Sequence, residues 1–257
     1  MKIFIKKTHL LQFLLSYMLL ISPIGYAESI ESLSKYSSAK EEKKFQVVQK
    51  LMKMFPSLKD IDLQESEVEG FYQFWSGSEL VHVFPQGEHL MVGELFDASR
   101  SISLSEQARE EKLKKLMADI DESNMIIYSA KQPKREITVF TDVDCFFCRK
   151  LHREINILTN AGVTVRYLAF PVFSQDMSKH MSVWCSDEPQ ITMTRAKNGQ
   201  KIKRKVCKNN IKSSLQLGID LGFKGTPQVV YDNGKEANYV SAKQIIENLK
   251  LNSSLEK

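Results

Sequence analysis

One stretch constrains the fold more than any other: Ile137-Thr-Val-Phe-Thr-Asp-Val-Asp-Cys145-Phe-Phe-Cys148-Arg-Lys-Leu-His152. The β-branched and aromatic run from Ile137 to Phe140 predicts a buried strand. Asp142 and Asp144 fall in a turn. Cys145 falls where a helix begins, and Leu151, Ile155 and Leu158 mark that helix's apolar stripe. A thiol at a helix start meets free backbone N–H groups and the positive end of the helix dipole, and both stabilise a thiolate. Cys145 is therefore the expected nucleophile, with a lowered pKa. Cys148, almost one turn further in, is close enough to attack a mixed disulfide formed on Cys145. The alternatives are a structural disulfide or half of a zinc site. A strand before the Cys-x-x-Cys and a helix after it favour redox use.

The compartment follows from the N-terminus. Lys2, Lys6 and Lys7 precede a mostly apolar stretch, Leu10 to Ile24, and Gly25-Tyr-Ala27 is a small-x-small site before Glu28. This predicts a cleavable secretory signal over residues 1–27. The rival is a retained anchor, for which the apolar run is short. Removing residues 1–27 takes away three lysines and no acid, so the net charge falls from +5 to +2. A nearly balanced chain is a poor general polyanion binder. In an exported protein disulfides persist, and four cysteines form an even set. Cys145 and Cys148 form one natural pair, which leaves Cys185 with Cys207.

The first half of the mature chain carries no catalytic pattern. Phe45, Val48, Leu51, Met52 and Phe55 recur at helical spacing up to Pro56. Strand-like runs follow at Val68–Trp75, Glu79–Phe84 and His89–Phe96, with turns at Ser76-Gly-Ser78 and Pro85-Gln-Gly87. A helix and a meander of this size are marginal alone and often gain core by pairing with a second copy. His82 and His89 are expected at the surface or half-buried. Ser103-Leu-Ser-Glu106 matches a capping box and opens a charged helix with Leu104, Leu113 and Met117 on one side, the candidate connector.

The second half alternates. After the Cys148 helix comes a turn at Asn160-Ala-Gly162 and a strand from Val163 to Phe170, which together fit a parallel β–α–β unit. A polar, helical stretch leads to Trp184-Cys185. Residues 186–208 read as loop, then a helix covers about Asn210 to Leu221. Thr226-Pro227 precedes a strand from Gln228 to Tyr231, and the proline isomer is open. Asp232-Asn-Gly234 is a hairpin turn to a partner strand at Glu236–Val240, and Ser241-Ala-Lys-Gln244 caps a last helix. If Cys185 and Cys207 are bonded, the loop of about 23 residues stabilises by roughly 3 kcal/mol in the chain-entropy model. A zinc site with four cysteines is the rival, but it usually takes two close-spaced pairs. Between Glu188 and Asp220 there is no acid, while eight basic residues lie between Arg195 and Lys212, Lys197 among them. No aromatic residue is interleaved there, so a solvated basic loop is favoured over a nucleic-acid channel.

Taken together, Val139-Phe-Thr-Asp-Val-Asp-Cys145-x-x-Cys148-x-Lys-Leu-His152, Gly162-Val-Thr-Val-Arg-Tyr-Leu-Ala-Phe-Pro171, Trp184-Cys185 and Leu221-Gly-Phe-Lys-Gly-Thr-Pro227 resemble the periplasmic disulfide isomerases of bacteria, the DsbC/DsbG family. The resemblance implies an α+β, cystatin-like dimerisation domain joined by a helical linker to an α/β thioredoxin fold with a helical insertion. The expected layout is a signal peptide over 1–27, the dimerisation domain over 28–100, the linker helix over 101–122 and the catalytic domain over 123–257. It also implies a homodimer in the periplasm that acts on misfolded, disulfide-containing exported proteins. A membrane reductase of the DsbD type would keep Cys145 and Cys148 reduced. Cys185–Cys207 would be the structural disulfide. Thr226-Pro227 would be the family's cis-proline loop, with Thr226 offering backbone to substrate. No cofactor, metal or nucleic acid is called for.

One departure stands out. Phe146-Phe147 occupies the place where the isomerase commonly has Gly-Tyr. The two rings either raise the Cys145 pKa by desolvation or widen the apolar docking surface. The rival functions are a dithiol oxidase using the same residues, a holdase chaperone without redox chemistry and, least favoured, a zinc-binding module.

Overall fold

The computed structural model describes residues 24–58, 61–174 and 176–250, with side chains from residue 39 onward. The secretory signal expected over 1–27 lies outside the described residues, apart from a helical backbone at 24–27. Two compact units emerge. One comprises the described residues up to Phe74 together with His82–Leu90, and the other comprises Trp75–Val81 together with Met91 onward.

The first described element is helix α1 (Ile24–Met54). It starts well ahead of the Phe45–Phe55 periodicity, because the Ser-, Lys- and Glu-rich tract between contains no proline to stop it. Short strands follow: β1 (Gln64–Glu65), β2 (Tyr72–Ser76), β3 (Glu79–Val83) and β4 (Leu90–Val92), in the sheet order β1-β2-β3-β4. In the first unit, Val47 and Leu51 of α1 are buried along with Leu63, Tyr72, Phe74 and Val83. His82 is 1% exposed, which corrects the expectation of a surface or half-buried histidine. Both faces of β3 are covered, since Leu80, Val81 and Val83 beside His82 are buried as well. His89 is exposed.

A two-stranded ribbon, β5 (Phe96–Asp97) with β6 (Ile102–Ser103), leads into α2 (Leu104–Asp119). Ser103 caps this helix by accepting the Glu106 N–H at 3.0 Å. The remaining elements are β7 (Ile126–Tyr128), β8 (Arg135–Thr141), α3 (Phe146–Arg153), α4 (Ile155–Asn160), β9 (Val163–Ala169), α5 (Ser178–Trp184), α6 (Pro189–Lys197), α7 (Ile211–Asp220), β10 (Gln228–Tyr231), β11 (Glu236–Asn238) and α8 (Ala242–Asn248).

They build a five-stranded sheet of order β11-β10-β8-β9-β7. β8 and β9 are parallel, with Val139 opposite Tyr167, while β10 and β7 run antiparallel to their neighbours. Strand alternation sends Ile137 and Val139 to one face, where they meet Leu151, Leu158, Val183, Met193 and Ile245. It sends Phe140 to the other, where Leu168, Phe170, Phe223 and Val230 pack with Leu113 and Met117 of α2. Gly218 of α7 makes close approach possible here: a Cβ on it would sit 2.5 Å from the Phe170 ring.

Two further expectations are corrected. The helix after Cys148 is not continuous but breaks at Glu154, whose carboxylate accepts the Ala242 N–H at 2.7 Å at the start of α8. Residues 186–208 are not all loop, because Pro189 opens the nine-residue helix α6, which buries Met193, Ala196 and Lys197.

Candidate active site

The site forms where β8 ends and α3 begins. Asp142, fully buried in the turn, accepts the Asp144 N–H at 2.8 Å, the Phe173 N–H at 3.3 Å and the Ser174 hydroxyl. His180 Nε2 lies 3.2 Å from its Oδ1 and 3.0 Å from the Val143 N–H, so this nitrogen serves one of the two at a time. Burial pushes the Asp142 carboxyl up, but the hydrogen bonds from His180 and the backbone N–H groups hold it below the usual range. At the surface, Asp144 pairs with Lys179 and with Arg149.

Cys145 is the N-cap of α3, with extended backbone, and its sulfur accepts the Cys148 N–H at 3.4 Å. The Cys145 thiol also lies 3.2 Å from the carbonyl oxygen of Thr226. The Thr226–Pro227 bond is cis, and Thr226 is 1% exposed beside the dithiol. Both cysteines are free thiols. A hydrogen bond from the Cys148 thiol brings the Cys145 pKa down to about 5; the N–H groups of Cys148 and Phe147 add to this, and burial opposes it. Cys148 is 1% exposed, and burial raises its pKa. The two thiols therefore have opposite character: one favours the thiolate, and the other is held protonated.

Phe146 and Phe147 project outward, 67% and 48% exposed, with their rings edge-to-face at 5.4 Å. Tyr239 adds a third exposed ring, 5.1 Å from Phe147. A small surface cavity of about 90 Å³ lies among Phe147, Lys150, Pro227 and Tyr239. Away from the dithiol, Cys185 and Cys207 are joined in a disulfide between the end of α5 and the segment before α7.

Several residues at the site carry no obvious mark in the sequence. His152 Nδ1 meets the Tyr167 hydroxyl at 3.1 Å and its Nε2 meets Thr194 Oγ1 at 3.0 Å, while burial brings its pKa down to about 3 and keeps it neutral. Lys197 corrects the solvated-loop expectation at one position, while the other seven basic residues of the run are exposed or half-buried. Lys197 is 2% exposed, with Nζ hydrogen-bonded to Thr141 Oγ1 at 2.9 Å and to the Asp142 carbonyl at 3.1 Å. The usable clue was Pro189 at a helix start with Met193 and Ala196 at helical spacing behind it.

Two family models match the chain. The one described as a thioredoxin-like domain covers residues 122–251, and the one described as the disulfide bond isomerase protein N-terminal domain covers residues 36–106. The chain is a thiol–disulfide oxidoreductase on a thioredoxin-like fold. It is 35% identical over 178 residues to the thiol:disulfide interchange protein DsbC of Salmonella typhimurium, covering 67% of this chain and 73% of that one. To the DsbC protein of Escherichia coli it is 34% identical over 191 residues, covering 73% and 79%. The chain belongs to the DsbC family. Among solved structures, a disulfide interchange protein from Neisseria gonorrhoeae is 26% identical, with a TM-score of 0.46, covering 52% of this chain and 98% of that one.

Proposed function

We propose that this chain is a periplasmic thiol–disulfide isomerase that also reduces disulfides, with Cys145 as nucleophile and Cys148 as resolving thiol. The observation that carries the reading is the pair's asymmetry: a Cys145 thiol with its pKa brought down to about 5, against a Cys148 thiol that is 1% exposed and held protonated. The Cys145 thiolate attacks one sulfur of a non-native disulfide. A Cys145–substrate bond forms, and the other substrate sulfur leaves as a thiolate. If that thiolate or another substrate thiol then attacks the mixed disulfide, a rearranged substrate disulfide forms and Cys145 returns as a thiolate. If Cys148 attacks instead, the Cys145–Cys148 disulfide forms and the substrate leaves with both sulfurs reduced.

The exposed rings of Phe146, Phe147 and Tyr239 beside the dithiol support docking of unfolded chains through apolar side chains. The position of the Thr226-Pro227 turn supports a substrate-binding role for Thr226 and Pro227, since the Thr226 carbonyl oxygen borders the Cys145 thiol at 3.2 Å. The match of residues 36–106 to the isomerase N-terminal domain supports a homodimer through the 28–100 region, with 101–122 as linker and 123–257 as catalytic domain. Sedimentation is expected to give a dimer for the mature chain and a monomer after deletion of 28–100. Membership of the DsbC family fits a periplasmic location, and this reading calls for a membrane reductase of the DsbD type as electron source.

Refolding of a ribonuclease with scrambled disulfides tests the assignment. Cys145→Ala is expected to abolish recovery, and activity surviving it sinks the nucleophile. A dithiol oxidase is the second reading, favoured by the stabilised thiolate, because a stable reduced form makes the oxidised one a stronger oxidant. Acid quench and alkylation of periplasmic extract separates the two. An isomerase keeps the 145–148 pair reduced in cells, and an oxidase keeps it oxidised.

A further inference from the structure

Resolution by Cys148 requires that its thiol lose a proton, yet its sulfur is shut off from water at 1% exposure and burial raises its pKa. A base is needed inside the unit. Thr141 ends the row of β8 side chains that packs against Leu151 of α3, and its side chain lowers the Cys148 pKa. Behind Thr141, Lys197 Nζ lies 2.9 Å from Oγ1. The second hydrogen bond of Nζ goes to the Asp142 carbonyl oxygen at 3.1 Å. Neither partner is an acid. A buried ammonium bonded only to neutral oxygens gives up its proton more readily than one in water.

We propose that Lys197 accepts the Cys148 proton through the Thr141 hydroxyl as Cys148 attacks the mixed disulfide on Cys145. The proposal rests on the assignment of Cys145 as nucleophile and Cys148 as resolving thiol. In the step, the Cys148 S–H passes its proton to Thr141 Oγ1, and the Thr141 O–H passes its own to the neutral Lys197 amine. The Cys148 thiolate then forms a bond to Cys145 Sγ. The bond from Cys145 to the substrate sulfur breaks, and the substrate leaves with the electron pair as a thiolate. The new ammonium donates back to Thr141, as in the observed geometry. Its proton returns to Cys148 when an incoming dithiol reduces the pair. Lys197 touches no reacting atom and is a positioning residue that works through Thr141.

The groups facing Lys197 are consistent with the role. Asp142 lies in the turn, and Cys145, Cys148, Arg149 and His152 lie at the start of α3 and along it. The Tyr167 ring on β9 has its centroid 5.7 Å from Nζ. Burial brings the Lys197 pKa down to about 8, with the Cys148 and Cys145 thiolates and Asp142 opposing and Arg149 assisting. In the mixed disulfide Cys145 carries no charge, which removes one of the groups that hold the proton on Lys197. The neutral amine is then present at neutral pH, and its share rises with pH.

The test uses the full mature chain and the disulfide reagent DTNB as probe. Attack by Cys145 releases one thionitrobenzoate. Attack by Cys148 on the mixed disulfide releases a second, and the two phases are read by absorbance. In the wild type the second phase is expected to rise with pH to an inflection at or below about 8. Lys197→Met, which fills the volume without a base, is expected to slow the second phase by about 10²-fold at pH 7 and to abolish the inflection. Lys197→Arg keeps the charge but cannot take a proton, so it is expected to stay slow; an Arg variant with the wild-type rate overturns the relay. Thr141→Val is expected to give the same loss with Lys197 intact, and a wild-type rate in that variant also overturns it. If the wild type releases no first thionitrobenzoate, or the release survives Cys145→Ala, the dithiol assignment itself fails. A normal first phase and a second phase of identical pH profile in wild type and Lys197→Met overturn the relay alone.

Discussion

The asymmetry of the two thiols makes a prediction whose size follows from the site. In the folded, reduced chain the Cys148 thiol and two backbone N–H groups bring the Cys145 pKa from 9.0 to about 5. The unfolded chain has none of these partners. Between the two values the unfolded state binds more protons than the folded one, so stability rises with pH. The contribution is complete above the unfolded pKa and is lost as pH falls through the folded one. At pH 7 it is worth about 2.7 kcal/mol, and at pH 5 only a few tenths, taking ~1.4 kcal/mol per pH unit. The same energy favours the dithiol over the disulfide, by roughly 60 mV for a two-electron couple.

The perturbation is Cys145→Ser, compared with the wild type after selective reduction to two free thiols. Thiolate absorbance at 240 nm against pH is expected to show a midpoint near 5 in the wild type and no such step in the variant. Urea denaturation between pH 5 and pH 7 is expected to show the wild type gaining on the variant by about 2 kcal/mol. The oxidised wild type, whose sulfurs do not titrate, is expected to show no such gain. A midpoint near the ordinary thiol value, or stability curves that run parallel, refutes the reasoning from the N-cap hydrogen bonds.

Cys148→Ala is expected to move the 240 nm midpoint upward, because the Cys148 hydrogen bond is the largest cause of the low Cys145 pKa; it also leaves mixed disulfides unresolved, read as a mass adduct on the chain. The double change Cys185→Ala and Cys207→Ala opens a loop of sequence separation 22, and urea denaturation is expected to show a loss of about 3 kcal/mol while the DTNB reaction of Cys145 persists. An unchanged urea midpoint would mean that the bond constrains nothing in the unfolded chain. Gly218→Ala forces a methyl to within 2.5 Å of the Phe170 ring, with an expected cost of about 1–3 kcal/mol that a thermal melt would register.

How far the site was legible depended on whether its parts are local. The Ile137–Phe140 strand, the aspartate turn and the helix start at Cys145 lie in consecutive residues, and their hydrophobic and capping patterns are short-range. The break in the following helix was not legible, because Leu151, Ile155 and Leu158 keep helical spacing across it. What holds Glu154 is the Ala242 N–H, 88 residues away in the chain. Helix α6 was missed for a related reason. Its residues are mostly polar, and the burial of Met193, Ala196 and Lys197 comes from packing that no local window contains. A basic run without acids reads as solvated, and one lysine in it turns out to be interior.

The strand's own period connects the legible part to the hidden one. Side chains alternate along β8, so Ile137, Val139 and Thr141 share one face. The first two are core residues packed among Leu151, Leu158 and Val183. The third continues the same row but arrives where α3 begins, under the thiols, and there it is a hydroxyl. A valine at that position would extend the apolar row and leave the Lys197 ammonium with one hydrogen bond fewer at 2% exposure, a costly state for a charge. Thr141 therefore makes burial of Lys197 tolerable, and Lys197 in turn places a cation close enough to favour the Cys148 thiolate. On the proposed assignment, the Cys148 thiol can then be shielded from water and still act as the resolving thiol. The environment of the Cys148 thiol thus depends on the last residue of a strand and on a helix far along the chain, as much as on the four residues of the Cys-x-x-Cys itself.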